Sequence, residues 1–330
     1  MLLANRDAPA WRASAVSCST VGSRQNRNVV CRTSTDNHIP PTSPWNARAE
    51  AGISPGVGGS CYQRRSCDRN PYPSDLTDSA WTALEPLLTR DITLPGRRID
   101  PDRLREYVDA ILYVLRTGCP WRHLPHDFAV EWPAAHQQFM RWTRRGVWDS
   151  ALVKLREQTR LADGRKAAAT GAVVDSSSVK ASPVPGQRGF DGAKKIDGIK
   201  RHILTDTAGL LLAVEVTAAN EQDRAVLPRL LDVAKSSCPG MAKVWADKGY
   251  TGPATRELAA KTGIDIEIVS GPKPPPGTGF LVQPRRWVVE RTHAWINRNR
   301  RMVRQWEATL EAHTGFLILS QIALLLNRLT

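Results

Sequence analysis

Apolar positions along the chain follow a helical period first and a strand period afterwards. Trp81, Leu84, Leu87 and Leu88 in "YPSDLTDSAWTALEPLL" recur at helical spacing, and Thr77 stands where an N-cap is needed. Leu104, Val108, Ile111, Leu112 and Leu115 predict one face of a second helix, which Gly118 would close as its C′ residue. A third helical run covers "AAHQQFMRWTRRGVWDSALVKLREQT", anchored by Phe139, Trp142 and Trp148. Residues from about 73 to 162 therefore predict a small all-helical module.

Beyond it the period changes. "GAVVDSSSVKA", "KRHILTDTAGL", "LLAVEVTAAN", "AKVWADKGY" and "IDIEIVS" are short runs rich in Val, Ile, Leu and Ala, bounded by turn residues. Helical stretches, "QDRAVLPRLLDVAKSS" and "TGPATRELAAKTG", separate the later ones. Three consecutive strands, then alternating helix and strand, predict an α/β domain over 168–330 with a mixed sheet covered by helices. After the loop "GPKPPPGTGF", the stretch "RWVVERTHAWINRNRRMVRQWE" from Arg286 to Glu307 reads as one arginine-rich helix. Residues 1 to 72 sustain neither period. They predict a disordered arm, or an extension upstream of the true reading frame, with a basic arm on DNA phosphates as the alternative.

Charge narrows the function. The formal net charge is +14 over 330 residues, which implies a polyanionic partner, nucleic acid before a membrane surface. The most apolar run, "GFLILSQIALLL", falls short of the roughly 20 residues that span a bilayer. Arg6 and Asp7 interrupt the N-terminus before the apolar core of a signal peptide can form. The six cysteines make no CxxC pair and suit reduced thiols. These features predict a cytoplasmic protein.

Against that basic background, three carboxylates stand out. Asp175 and Asp247 each close an apolar strand, where side chains emerge into a functional crevice, and Glu290 lies among arginines. Singly, each aspartate reads as a turn or cap residue. Together with Glu290 they could offer oxygen ligands to Mg²⁺ or Mn²⁺. Two such ions, about 3.5–4 Å apart, clamp the attacking and leaving oxygens of a phosphoryl displacement. Lys180, Lys200, Arg201, Lys248, Arg286, Arg291, Arg298, Arg300, Arg301 and Arg304 are the candidate phosphate contacts. The bland reading of the arginines is a solvated helix face with ion pairs such as Arg286–Glu290.

"VVDSSSVKA", "KKIDGIKRHILTDTAGLLLAVEVTAANEQDR", "ADKGY" and "RWVVERTHAWINRNRRMVRQWE" resemble the DDE transposases of bacterial insertion sequences, in the insertion-sequence-five group. The helical stretch resembles that family's amino-terminal domain, so the likeness runs from about 74 to 328. It implies a ribonuclease-H-like catalytic domain after a helical DNA-binding domain, with a metal triad of Asp175, Asp247 and Glu290. The implied activity is cleavage of double-stranded DNA at the element's terminal inverted repeats and joining of the 3′ ends to target DNA. Two Mg²⁺ or Mn²⁺ ions and a homodimer or larger assembly go with it, and neither a membrane nor a small-molecule substrate does. Two positions depart from the family signature: Gln283 replaces its Tyr and Asn297 its Lys.

Other residues compete. Asp206 suits a turn and Asp223 a helix cap, with either available as an outer carboxylate; His202 and His293 suit structural roles. A glycosidase built on Asp175 and Asp247 is disfavoured by the arginine-rich surface. A transposase-derived protein that binds DNA without cutting it is disfavoured by three intact carboxylates.

Overall fold

Helix α1 (Asp78–Thr89) starts where Thr77 Oγ1 accepts the Ala80 N–H at 3.1 Å, and it buries Ala80, Trp81, Leu84 and Leu88. The computed structural model describes residues 69–89, 101–269 and 285–330. The expectation for residues 1–72 thus falls outside the described residues except for its last four, as does the "GPKPPPGTGF" loop. Helix α2 (Pro101–Thr117) ends at Gly118 with φ 73°, and buries Leu104, Val108, Ile111, Leu112 and Leu115. The single third helix expected here is two, α3 (Trp132–Arg144) and α4 (Val147–Ala162). Gly146 breaks it in a left-handed conformation, φ 65°, which a residue with a Cβ adopts at a cost.

The sheet contains β1 (Gly171–Lys180), β2 (Gly189–Asp191), β3 (Ile196–Asp206), β4 (Leu211–Ala218), β5 (Lys243–Ala246) and β6 (Asp265–Ile268). Its main order is β4-β3-β1-β5-β6. Strand β3 is antiparallel to both β4 and β1, and β5 and β6 run parallel to β1. This mixed order is the ribonuclease-H-like arrangement. Strand β2, which has no clear signal in the sequence, adds a short hairpin to the start of β3.

Alternation along the strands divides two cores. Ala172, Val174, Leu204, Val244 and Ala246 face helix α5 (Asp223–Ser237), whose Val226, Leu227, Leu230 and Leu231 are buried against them. Val173, Ile203 and Trp245 face the other way, into a larger core shared with α1 to α4. The helical module and the sheet are therefore packed on common ground. Helix α8 (Leu310–Leu329) fills that ground, with Phe316 stacked on Phe139 at 4.2 Å. By length and composition α8 could cross a membrane, but 67% of its apolar window is buried inside the protein. Helix α6 (Pro253–Thr262) covers β6, and α7 (Arg286–Asn297) lies on β1 and β3.

Helix α7 ends ten residues short of Glu307. Past Arg298 the chain takes a 3₁₀ turn over Arg300–Met302, with Asn299 extended before it. Two buried anchors impose the break. The Asn299 side-chain amide donates to Ile296 O at 3.3 Å. The Arg301 guanidinium turns inward to Glu307 Oε1 at 2.6 Å and Cys119 O at 3.0 Å.

Candidate active site on neighbouring parallel strands

The parallel pairing of Val173 with Trp245 fixes the site. Asp175 and Asp247 each lie two residues further on, so both side chains emerge on the same face as Val173 and Trp245, at the same level of neighbouring strands. Helix α7 covers that face: Val289 and Ile296 belong to the same core as Val173 and Trp245. Glu290 follows Val289 and so arrives beside the two aspartates. Asp247 stands just past the end of β5 as expected, but Asp175 does not close its strand: it lies in the middle of β1, paired with Ile203, because the ladder to β3 carries on through the serines.

Arg286, one turn before Glu290, links the group. Its Nη2 is 3.5 Å from Glu290 Oε1 and 3.9 Å from Asp247 Oδ2. Asp247 also caps the 3₁₀ turn Lys248–Tyr250, accepting the Gly249 N–H at 2.9 Å. Burial pushes the Asp175 carboxyl up to about 6, and the Asp247 charge adds to the rise. The Ser176 N–H, Arg286 and Lys194 offset only part of that. Nearby, His293 Nε2 lies 3.8 Å from Asp175 Oδ2. Burial holds the His293 imidazole down to about 3, so the ring is neutral at pH 7 and supplies no counter-charge.

On the other side of Gly249, Asp223 opens α5. It meets Lys200 Nζ at 3.1 Å and His202 Nδ1 at 3.7 Å. An ideal Cβ at Gly249 would be 3.0 Å from Asp247 Oδ1 and 3.6 Å from Asp223 Oδ2, which locates Asp223 as an outer carboxylate of the same crevice. His202 is fully buried on Thr217 Oγ1 at 3.0 Å, and burial lowers it to about 4.

The donor chemistry suits a hard divalent cation: three carboxylates, with a buried one that lacks full compensation. As they stand, Asp247 and Glu290 are joined through the Arg286 guanidinium, whose charge also acts on Asp175 at longer range. Among the described residues, no group of three His, Cys, Asp or Glu side chains is close enough to hold a metal ion.

The candidate phosphate contacts divide by burial. Lys180, Lys248, Arg298, Arg300 and Arg304 are exposed, and Arg286 and Arg291 half-buried. Lys200, Arg201 and Arg301 are buried, contrary to the expectation that they face DNA. Lys200 Nζ donates to Glu221 O at 2.7 Å beside Asp223, and Arg301 is held by Glu307 and Cys119 O. Arg201 donates to Met302 O at 3.2 Å and to Asn297 Oδ1 at 3.1 Å. Asn297, at the signature's Lys position, is thus an anchor that ties the end of α7 to β3. Arg291 is committed too, stacked on Trp287 and Trp295 at 4.5 Å each and donating to Ala208 O. An aromatic on either side and a local carbonyl outcompete water for that guanidinium.

Two features near the crevice went unread in the sequence. Lys194, on the turn after β2, acts on Asp175 electrostatically. Phe190, on β2, is 59% exposed. The segment "QRGFDGAKK" carries no period, and a single aromatic between glycines gives no sign of which way it points.

An acidic crevice on the β1 and β5 strands of a ribonuclease-H-like sheet, with cations around it, is the site of a nucleic-acid-processing class of protein. The comparisons agree. Residues 76–152 match a family model described as "Putative transposase of IS4/5 family", and residues 166–326 match "Transposase DDE domain". Two curated relatives come from Burkholderia cepacia. The "Putative transposase for insertion sequence element IS402" is 34% identical over 128 residues, 36% of this chain and 59% of that protein. The "Insertion element IS402 uncharacterized 16.2 kDa protein" is 36% identical over 111 residues, 32% of this chain and 73% of that protein. The chain belongs to the DDE transposases of insertion sequences. It spans 59% of the length of the first of these relatives.

Solved structures also match. The Mos1 transposase paired-end complex with left transposon end has 11% identity and a TM-score of 0.22, covering 53% of this chain and 62% of that one. The Mos1 mariner paired end complex with Mn has 13% identity and a TM-score of 0.22, covering 55% and 65%.

Proposed function

We propose that the chain is an active transposase that cuts DNA at the terminal inverted repeats of its element and joins the freed 3′ ends to target DNA. The observation that carries this reading is the Val173–Trp245 register, which aligns Asp175 and Asp247 beneath the helix that bears Glu290. In this reading residues 168–330 do the chemistry and residues 73–162 hold the DNA ends.

Asp175, Asp247 and Glu290 would hold the divalent ions, magnesium or manganese. When bound, two such ions supply Lewis-acid stabilisation to the attacking and leaving oxygens of an in-line phosphoryl transfer. The chain's own part is to place charge. Arg286 compensates Asp247 and Glu290 and holds the two carboxylates near one another. Lys180, Lys248, Arg298, Arg300 and Arg304 are exposed and, in this reading, would meet phosphates and hold DNA without reading its sequence. No covalent protein–DNA intermediate is required. Two ends must be handled together, so the working form is a homodimer or larger assembly, acting in the cytoplasm.

A second reading, a DNA-binding protein without cleavage, draws on the spacing of the carboxylates, which form no ready metal group as they stand. One experiment separates the two. Asp247→Ala should abolish Mg²⁺-dependent cleavage of DNA carrying the element's ends and leave DNA binding intact. Unchanged cleavage would sink the triad, and a wild-type protein that binds but never cuts would favour the second reading.

A further inference from the structure

The β2 hairpin is braced by its polar residues and carries, in the middle of β2, a side chain that no aromatic or core cluster among the described residues covers, that of Phe190. Asp191 holds it from below: its Oδ2 accepts from Ser178 Oγ at 2.6 Å and its Oδ1 from the Ala193 and Lys194 N–H groups at 3.1 Å each. Gly189 lets the hairpin approach Asn220 closely, since a Cβ there would lie 2.0 Å from Asn220 Oδ1. With Asp191 turned in, strand alternation turns Phe190 out. A phenyl ring left 59% exposed on a braced hairpin gains nothing for the fold.

The ring borders a cavity of about 290 Å³ whose other walls include Asn220, Gln222, Arg224 and Gly249. Asn220, Gln222 and Arg224 bring amide and guanidinium groups to its lining, and Arg224 Nε donates to Gln222 Oε1 at 3.0 Å. Gly249 joins the cavity to the Asp247 crevice. The turn beside Phe190 is basic, with Arg188, Lys194 and Lys195 flanking it. Asp191, Asp223 and Glu221 also line the cavity, and Lys200 in the same lining is already held by Asp223 and Glu221 O, so the cavity is a poor seat for a phosphate. A flat, uncharged ring with polar edges fits where a phosphate does not: stacked on Phe190, edge toward the amides, its phosphates on the basic flank.

We infer that Phe190 and this cavity form a nucleobase subsite, which receives one unstacked base of the DNA strand lying across the Asp175–Asp247 crevice. The inference rests on the proposed DNA-processing function and adds a contact to base rather than backbone. Stacking on an aromatic tolerates any base, so the subsite would hold a strand end open more than it would read sequence. Extruding a base costs least where the strand is already unpaired, which directs the subsite to frayed or cut ends.

The test is a double-mutant cycle in binding. The full chain, in EDTA so that nothing is cut, is titrated with dye-labelled duplexes of about 20 base pairs followed by anisotropy. One has a blunt end, one a single-nucleotide 3′ overhang, and one the same overhang with an abasic residue. Wild type should prefer the overhang with a base over the abasic one by about five- to a hundredfold. Phe190→Ala should lose that preference, Phe190→Trp should keep it, and all three proteins should bind the blunt duplex alike. A Phe190→Ala protein that still prefers the base overturns the subsite while leaving the transposase reading standing. A wild type that binds none of the three duplexes overturns both.

Discussion

Asp206 and Asp175 are both strand aspartates on the central pair β3 and β1, and their surroundings could hardly differ more. Asp206 is fully buried and fully partnered. Its Oδ1 accepts the Ala208 and Leu210 N–H groups at 2.8 and 2.9 Å, its Oδ2 meets Arg160 in a close ion pair, and Arg165 stands 3.8 Å away. Asp175 is also largely buried, yet its charge is met by one backbone N–H, that of Ser176, and otherwise only at a distance by Arg286 and Lys194, with a neutral histidine alongside. A buried carboxylate with every lone pair engaged holds the fold together. One left short of compensation keeps room for a cation from outside.

The largest expected effect lies in function. Asp175→Asn should cut strand cleavage by on the order of 10³-fold or more while the folded protein persists. Measured alongside, Asp206→Asn should retain cleavage in whatever fraction stays folded. If Asp206 proves as necessary to the chemistry as Asp175, the distinction between the two aspartates fails.

Stability should reverse the ranking. Asp206→Ala strands the buried Arg160 guanidinium and two turn N–H groups, at a cost of about 3–5 kcal/mol, or ~10 °C in melting temperature. Asp175→Asn removes a desolvated charge and should leave the metal-free protein as stable as before or more so, by chemical denaturation. Equal losses in the two variants would show that Asp175 is fully compensated after all.

How much of this contrast was legible in the sequence depends on the distance over which each feature is determined. The stripes of α1 and α2, the Thr77 cap and the turn at Asp206 are local, and the 3.6-residue period announces them. The end of β5 at Asp247 was legible because the apolar run stops there, whereas β1 continues past Asp175 to Lys180, its polar second half held by the ladder to β3; that the two aspartates align is a matter of register, which only pairing decides. The end of α7 was not legible. "RNRRMVRQWE" is compatible with helix, and what unwinds it is Arg301 reaching Cys119 O, 182 residues away in sequence. Nor does a count of positive charges say that Lys200, Arg201 and Arg301 turn inward. The acceptors that draw them, Glu221 O, Asn297, Met302 O and Glu307, are assembled only by the fold.

Titration sharpens the Asp175 side. Its carboxyl lies at about 6 in the folded protein against 3.8 for the free group. A folded value above the unfolded one favours the protonated native state. The contribution is fully present below about pH 4 and is lost as pH rises through 6, by up to ~3 kcal/mol in the absence of metal. Other carboxylates slope the opposite way, so the informative quantity is wild type minus Asp175→Asn between pH 4 and 7. A difference that stays flat would mean that Asp175 is not strained by burial.

The smallest effects belong to the arginines, and they divide along the same line. Arg298, Arg300 and Arg304 are exposed, whereas Arg291 and Arg301 are spent on Trp287 and Trp295 and on Glu307. Each exposed arginine that meets a phosphate releases about one counterion, so its replacement by Ala should lower the slope of log K against log salt by roughly 1 and leave the melting temperature in place. Arg301→Ala should do the converse. It leaves Glu307 buried without its partner, lowers the melting temperature, and leaves the salt slope of the folded fraction unchanged. Measured as a set, the slope and the melting temperature should each move for one group only, because a guanidinium already committed to a buried carboxylate has no charge to lend to DNA.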